Sequence, residues 1–437
     1  MLINNRGGLT DHQKEKHDEI LKYLENTDKV ILSGSAGVGK TFTANELVKS
    51  LLNRCRGTII CSAPTNKAVS VLQSKVNVGS NRVRFESTHK ALKMQRHICD
   101  ETGAISFKPA YNERYPPLLG VDYIVVDEAS MVNQEMLDYL DEHSLRQGCK
   151  ILFILDGKQL PPVTDRKERV IRVSIPVLSQ GYPNVELLEI IRQGNGNPII
   201  DLSMNLSWVY GGQSNYIKDT KTGYLFSNEY DKVLNKLAES NGTDFYKYLA
   251  YTNESVNAMN SIVRTKIYGD NPKRLQIGET MILDAPYGLE LKTNQEVKIE
   301  GIQHCEENFV YHKDKESVLH FYLTNVMWKD PITKFSKRDR IMVLKEDSDI
   351  EFAKIRKYLR DLAKKGQYSW KDFYTFVEQF AQLKYNHALS IHKSQGSTYQ
   401  NVIINVKDCK RCFGEERRHL LYTAITRASN LVVLYNT

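Results

Sequence analysis

The residues best suited to chemistry are Gly34, Ser35, Ala36, Gly37, Val38, Gly39, Lys40 and Thr41, which follow the G-x-x-x-x-G-K-[ST] spacing of a phosphate-binding loop. Glycines there let the backbone wrap closely around phosphate oxygens, because they take positive φ without a Cβ clash. Successive N–H groups and a helix N-terminus then face the anion. In such a loop Lys40 reaches the β- and γ-phosphates and the Thr41 hydroxyl holds Mg²⁺. Further along, Asp127 and Glu128 leave the apolar run Val121–Val126. Asp127 is placed to hold the magnesium shell, and Glu128 to orient and deprotonate an attacking water. Gln159, just past Asp156, offers a neutral amide to the γ-phosphate or its water; turn chemistry at Asp156-Gly157 is the bland alternative. Two arginines, Arg192 and Arg427, are candidate fingers for the developing charge, or else partners of a structural carboxylate; Arg427 in particular sits in a stretch apolar enough to be buried and so needs an anionic partner.

These groups need elements to position them. Lys29–Ser33 reads as a buried strand and Phe42–Leu52 as a helix, so the loop falls between a strand and a helix N-terminus. Apolar runs at 57–63, 121–126 and 150–155 each end in polar residues, the signature of a parallel α/β sheet with function at one edge. Before the loop, Thr10 or Asp11 caps a helix that carries Gln13, by itself an exposed helix glutamine. The polar, proline-containing segment 94–120 reads as a hairpin leaving this sheet. A junction falls near 190, giving a first domain over 1–190 and a second over 191–437. In the second, a strand over 245–251 and a helix over 254–267 restart the α/β pattern. Short β-rich runs between 278 and 344 suggest a small barrel or sandwich, and 350–383 is helical, so an insert spans 275–384. The α/β pattern returns at 388–435. Within it, Ser390, His392, Lys393, Ser394 and Gly396 cluster hydroxyls, base and glycine, a composition that suits a phosphate backbone or a capped loop.

At 437 residues the chain exceeds one ordinary domain. Lys and Arg total 60 against 52 for Asp and Glu, a net charge of +8, which fits a polyanionic partner without demanding one. Seven scattered cysteines point to a reducing compartment. Cys409 and Cys412 form a single C-x-x-C with His419 beyond it; a zinc site needs a second pair, so incidental thiols in a basic loop are expected. With no signal peptide and no apolar run of membrane-spanning length, a soluble cytoplasmic protein is expected, in the host cell if a phage encodes it.

Taken in order, these segments resemble the superfamily-one helicases, above all the Dda and RecD-type enzymes of the five-prime to three-prime branch. The resemblance rests on Gln13, the 34–41 loop, Ala63–Ala68, Ser87–His89, Asp127-Glu128, Asp156 with Gln159, Arg192, His392–Gly396 and Tyr422–Arg427. It implies two RecA-like domains with ATP and Mg²⁺ between them. It implies that Gln13 recognises adenine, that Gly396 belongs to the nucleotide site, and that Arg192 and Arg427 cross to the γ-phosphate. It further implies that Pro64, Thr65, Asn66, His89, His392, Lys393 and Ser394 face single-stranded DNA, that the hairpin is a strand-separating pin with Phe107 at its tip, and that the β-rich insert is SH3-like. Leu155 departs from the family, which usually has glycine before the Asp156 position. The implied activity is ATP-driven 5′-to-3′ translocation and unwinding by a monomer at single strands and duplex junctions. A single-stranded-DNA-binding protein or replication and recombination proteins are further candidate partners. The competing expectation is an ATP-regulated nucleic-acid-binding switch; a phosphate-loop kinase leaves the second α/β domain unexplained.

Overall fold

A computed structural model of the chain describes residues 8–110, 113–162, 175–189, 197–209, 216–218, 222–288, 290–313, 315–330 and 335–436. Its first sheet is built from β1 (Lys29–Gly34), β2 (Thr58–Ala63) and β3 (Val83–Ser87). A hairpin of β4 (Met94–Ile98) and β5 (Ile105–Pro109) intervenes, then β6 (Val121–Val126), β7 (Lys150–Leu155) and β8 (Asn184–Leu187) complete the sheet. Spatial order is β3-β2-β6-β7-β1-β8, and every pairing is parallel. Helix α1 (Asp11–Asn26) leads into β1, and α2 (Lys40–Arg54), α3 (Asn66–Lys75), α4 (Thr88–Ala91) and α5 (Gln134–Gln147) lie between the later strands. Because successive side chains point to opposite faces, one strand serves two cores. Val30 and Leu32 pack with α1 and α2, while Ile31 packs with Leu137 and Leu140 of α5. Leu155 is buried in β7, paired with Ser33, so its side chain is accommodated within the sheet.

The second sheet follows α6 (Pro198–Met204). It contains β9 (Tyr216–Lys218), β10 (Thr222–Ser227) and β11 (Tyr246–Ala250), with α7 (Tyr230–Ser240) and α8 (Asn253–Tyr268). An insert then runs from β12 (Thr280–Leu283) through β13 (Glu296–His312), β14 (Lys315–Lys329) and β15 (Ser336–Leu344). Helices α9 (Asp349–Lys364) and α10 (Trp370–Val377) and strand β16 (Leu383–Tyr385) close it. The chain re-enters the second sheet at β17 (Ala388–Ser390) and β18 (Tyr399–Asn405). After α11 (Val406–Cys409) and α12 (Gly414–Ile425) it finishes with β19 (Ala428–Tyr435). The order β17-β11-β18-β19-β10-β9 is parallel except for the edge strand β9.

The insert is a five-stranded antiparallel sheet, β15-β14-β13-β12-β16. Its central ribbon is far longer than the short runs expected from sequence. The outer half of β13, Gln303–Asn308, is polar and mostly exposed, so it carries no apolar run to betray a strand. Beyond it, Phe309, Leu319 and Phe321 pack with Leu359, Trp370, Phe373, Phe376 and Phe380 in an aromatic core of the insert.

The β4–β5 hairpin leans onto this aromatic core. Arg96 meets Glu378 at 2.6 and 2.7 Å and lies 4.7 Å over the Tyr374 ring. The Tyr374 hydroxyl donates to the Gly103 carbonyl at 2.8 Å. Phe107 was expected at the hairpin tip, but the turn is at 99–104, and Phe107 stands back on β5 opposite Arg96. The turn itself is occupied by its contacts with α10.

Candidate nucleotide site and nucleic-acid cleft

The phosphate loop leaves β1 at Gly34, where a Cβ would fall 2.8 Å from the Leu187 carbonyl and from Val38. Gly37 and Gly39 have φ of +90° and +83°, which L side chains rarely adopt. Helix α2 then starts at Lys40. Gln13 lies buried beside the loop. Thr10 and Gln13 form a capping box at the start of α1, and Gln13 Nε2 donates to the Val38 carbonyl at 3.3 Å. The glutamine is therefore fixed against the loop rather than exposed on the helix.

Lys40 Nζ donates to the carbonyls of Gly34 (2.6 Å) and Ser35 (2.9 Å) and lies 3.6 Å from Asp156 Oδ2. Asp127 ends β6, and its carboxylate accepts from the Glu128 amide at 2.9 Å; Glu128 sits at φ +51°, turning the chain out of the sheet. Burial, then the neighbouring Glu128 charge, push Asp127 up to about 6, against the pull of Lys40. A buried carboxylate crowded by a second one suits a hard divalent cation, and Thr41 at the start of α2 and Asp127 at the end of β6 offer oxygen donors for it. The Gln159 side chain is buried, and its Oε1 has no hydrogen-bond partner. Such an orphaned acceptor fits a water or hydroxyl on a bound ligand.

The second domain reaches this site through α12. The Tyr422 hydroxyl accepts from the Ala36 amide at 2.7 Å and donates to Asp156 Oδ2 at 2.8 Å. His419 Nδ1 bonds the Gln159 carbonyl at 2.8 Å, and Thr423 Oγ1 accepts from the Leu160 amide at 3.0 Å. Gln395 Nε2 donates to the Leu160 carbonyl at 2.9 Å. Sequence reasoning assigned no role in the site to Tyr422, His419, Thr423 or Gln395. His419 had drawn notice only beside Cys409 and Cys412; Cys409 ends α11 and Cys412 lies in the short loop before α12, and both thiols are buried in the second domain's core.

Arg427 is buried as expected, but backbone and hydroxyl oxygens hold it rather than an anionic partner. It donates to the carbonyls of Thr423 and Ser397, both at 3.2 Å, and to Thr426 Oγ1 at 3.4 Å. Backbone oxygens suffice because the guanidinium presents five donors in a fixed fork. Arg192 lies outside the described residues. Gly396, expected at the nucleotide, instead packs on the first domain's α3. At φ +71° its Cβ would meet Ala68 at 3.3 Å and Thr65 Oγ1 at 3.5 Å.

That contact lies on a cleft of about 340 Å³ between the two sheets. Thr65, Asn66 and Lys67 line one wall, and His392, Lys393, Gln395 and Tyr399 the other. Pro64 is the half-buried residue leading into α3, and Thr65 caps that helix by accepting from the Ala68 amide. Lys67 crosses to Glu296 at 3.5 Å. Lys393 is exposed, and its Nζ meets Asp284 at 2.6 Å. Burial opposes ionisation of Asp284, but hydrogen bonds from Lys384 and Lys393 outweigh it and hold the carboxyl below its usual range. Ser394 corrects the sequence reading. It is fully buried and its hydroxyl donates to the Ile391 carbonyl at 2.7 Å, so in this arrangement it faces no ligand. His89, on α4, packs edge-on against Phe107 with ring centroids 5.5 Å apart, and burial lowers its pKa.

Two RecA-like sheets, a phosphate loop on the first and α12 of the second docked onto it define a two-domain phosphate-loop NTPase. Residues 8–212 match the family described as an AAA domain, and 385–435 the UvrD-like helicase C-terminal domain. The chain is 25% identical to the ATP-dependent DNA helicase dda of Enterobacteria phage T4, over 96% of this chain and 97% of that protein. It is 25% identical to the ATP-dependent DNA helicase Pif1 of Campylobacter jejuni, over 95% and 89% respectively. A protein of Acanthamoeba polyphaga mimivirus is 27% identical, over 94% and 96%. Among solved structures, Pif1 at forked double-stranded DNA superposes with a TM-score of 0.52 at 18% identity, covering 97% of this chain and 91% of that one. Bacteroides Pif1 with ADP-AlF3 and single-stranded DNA gives a TM-score of 0.50 at 18% identity, covering 96% and 91%. Over nearly its whole length the chain is thus similar to ATP-dependent DNA helicases of the Dda and Pif1 kind. Among the described residues no helix is long and apolar enough to cross a membrane.

Proposed function

We propose that the protein is an ATP-dependent DNA helicase that moves 5′-to-3′ along single-stranded DNA and opens duplexes ahead of it. The observation that carries this reading is the short segment Asp156–Leu160. One end lies beside Lys40 of the phosphate loop; the other is held by Thr423 and Gln395 of the second domain. Nucleotide chemistry in one domain is thereby tied to the position of the other.

In this reading Gln13 recognises the base, and Lys40 with the loop amides of Gly34–Thr41 binds the phosphates. Thr41 and Asp127 hold Mg²⁺, whose chemistry is to neutralise charge on the phosphate oxygens. Glu128 takes the proton of the attacking water, and Gln159 orients that water. Arg192 and Arg427 come onto the γ-phosphate as the domains close, because only the closed state gives them that contact, and differential affinity is what shifts such an equilibrium. Thr65, Asn66, His392 and Lys393 grip the strand in the cleft, and Phe107 with His89 meets the bases at the hairpin. Sequence-tolerant grip follows from backbone contacts and base stacking. Opening one base-pair step costs about 1.4 kcal/mol, which a wedge with directional stepping can supply.

A strand-displacement assay on duplexes tailed at either end, in DNA and RNA versions, tests this. Separation of five-prime-tailed DNA that requires both ATP and Mg²⁺ is the expected result. Nucleotide-dependent binding without displacement on any substrate sinks the helicase reading in favour of a binding switch.

A further inference from the structure

We infer that the Tyr422 hydroxyl is the group by which this enzyme distinguishes a nucleoside triphosphate from a diphosphate: it takes the place of a terminal phosphate oxygen at the Ala36 amide, and ATP, unlike ADP, must displace it. The inference deepens the nucleotide-site reading given above and rests on it.

The argument begins with what an anion-binding loop presents. The amides over the N-terminus of α2, at Gly39 to Thr41, form the deep part of the cradle. Ala36 lies on the opposite lip, near where the loop leaves β1. Its amide is aimed not at solvent but at Tyr422 Oη, 2.7 Å away. The same hydroxyl gives its proton to Asp156 Oδ2 at 2.8 Å, and that oxygen lies 3.6 Å from Lys40 Nζ, the cation that reaches the outer phosphates. The hydroxyl therefore stands between a loop N–H donor and the carboxylate beside the phosphate-binding lysine. A phosphate oxygen would take the same donor.

The contact is built, not incidental. Tyr422 is 2% exposed, and the residues around it in α12, Leu420, Leu421, Ala424 and Ile425, are anchored in the second domain's core. His419 and Thr423, on either side of Tyr422 in the same helix, hold the backbone of the loop that carries Asp156. A hydroxyl that accepts from one partner while donating to another polarises along the chain, which strengthens both bonds. A charged phosphate oxygen is the stronger acceptor for Ala36 and displaces a neutral one. A diphosphate brings no oxygen to the far lip, so the hydroxyl keeps its place. Displacement frees Asp156 from Tyr422 only when the third phosphate is present, and loss of that phosphate restores the bridge between the domains.

Tyr422→Phe keeps the ring and removes both bonds. Affinities for Mg²⁺–AMP-PNP and Mg²⁺–ADP are measured by calorimetry on the full chain without DNA. With no hydroxyl left to compete for the Ala36 amide, the variant is expected to bind AMP-PNP about three- to tenfold more tightly, the range one displaced hydrogen bond supplies, and ADP unchanged. Equal shifts for the two nucleotides, or none, overturn the inference while leaving the nucleotide site intact. If the wild-type protein binds neither nucleotide, both readings fall. In parallel, wild-type protein carrying 3-fluorotyrosine is read by ¹⁹F NMR, with the Tyr422 signal assigned by its loss in Tyr422→Phe. That signal is expected to move with AMP-PNP and to stay put with ADP; movement with both or with neither overturns the inference.

Discussion

Gly103 in the hairpin turn lies so close to Trp370 of α10 that a Cβ there would fall 2.4 Å from the indole ring, at a φ of +68°. Backbone and ring leave no room for a side chain. The turn of the first domain's hairpin is thus seated on the second domain's helical insert.

Gly103→Val is expected to unseat the turn. A positive-φ glycine replaced by a β-branched residue against a buried ring carries strain of about 1–3 kcal/mol. Roughly five- to 150-fold less seated hairpin follows from that figure. Strand displacement on a tailed duplex should fall while DNA-stimulated ATP hydrolysis persists. Phe107→Ala, farther back on the hairpin, should likewise weaken displacement and spare the ATPase. If both activities of Phe107→Ala match wild type, base separation occurs at another residue.

Lys40→Ala removes the cation that the loop carbonyls and Asp156 surround. Loss of one charge-stabilising group of this kind costs about 10²–10³ in rate. DNA-stimulated phosphate release should drop at least that far, and undiminished turnover would overturn the site assignment.

Arg264 and Glu279 form a buried pair under the insert, with two hydrogen bonds at 2.7 and 3.1 Å. Both side chains are almost wholly buried. Glu279→Ala leaves the guanidinium without its carboxylate, and breaking such a pair costs roughly 3–5 kcal/mol. Urea denaturation followed by tryptophan fluorescence should show a correspondingly lower midpoint; an unchanged midpoint would mean that the carbonyls of Lys273 and Arg274 alone satisfy Arg264.

Cys99, in the hairpin, has its thiol pKa lowered, first by the Thr102 side chain and then by backbone donors at Thr102 and Glu101. Burial pushes Cys412 up to about 12 and raises Cys409 further. The thiolate is the nucleophile, so a lower pKa means more reactive species at neutral pH. Limited iodoacetamide treatment near pH 7 should label Cys99 well before Cys409 or Cys412, as read by peptide mass mapping. Equal labelling would show that the second domain's core opens readily.

Much of the molecule was legible in one dimension. The 34–41 loop, the Asp127-Glu128 pair and the apolar strand runs are local patterns, because a phosphate cradle and a buried parallel strand each need particular residue types in consecutive positions. Gln13 was legible through likeness alone: its approach to Val38 depends on how α1 packs, which no local pattern encodes. The length of the β13–β14 ribbon escaped notice because its outer half alternates polar residues over a solvated face. Ser394 and Gly396 were assigned to ligands by likeness, while composition left a capped loop equally open, because it does not say which way hydroxyls and glycine point. Ser394 turned inward to Ile391, and Gly396 met α3.

What the sequence determined by itself was therefore the chemistry available: a phosphate loop, a carboxylate pair and two α/β halves in a set order, since each is written in short-range residue spacing. Only the tertiary structure decided how the halves meet. Ala36 and Tyr422 lie far apart in the chain, and their 2.7 Å contact exists because two separately cored sheets dock with α12 over the loop. Contacts of that kind arise from the packing of whole surfaces, and no local spacing can announce them.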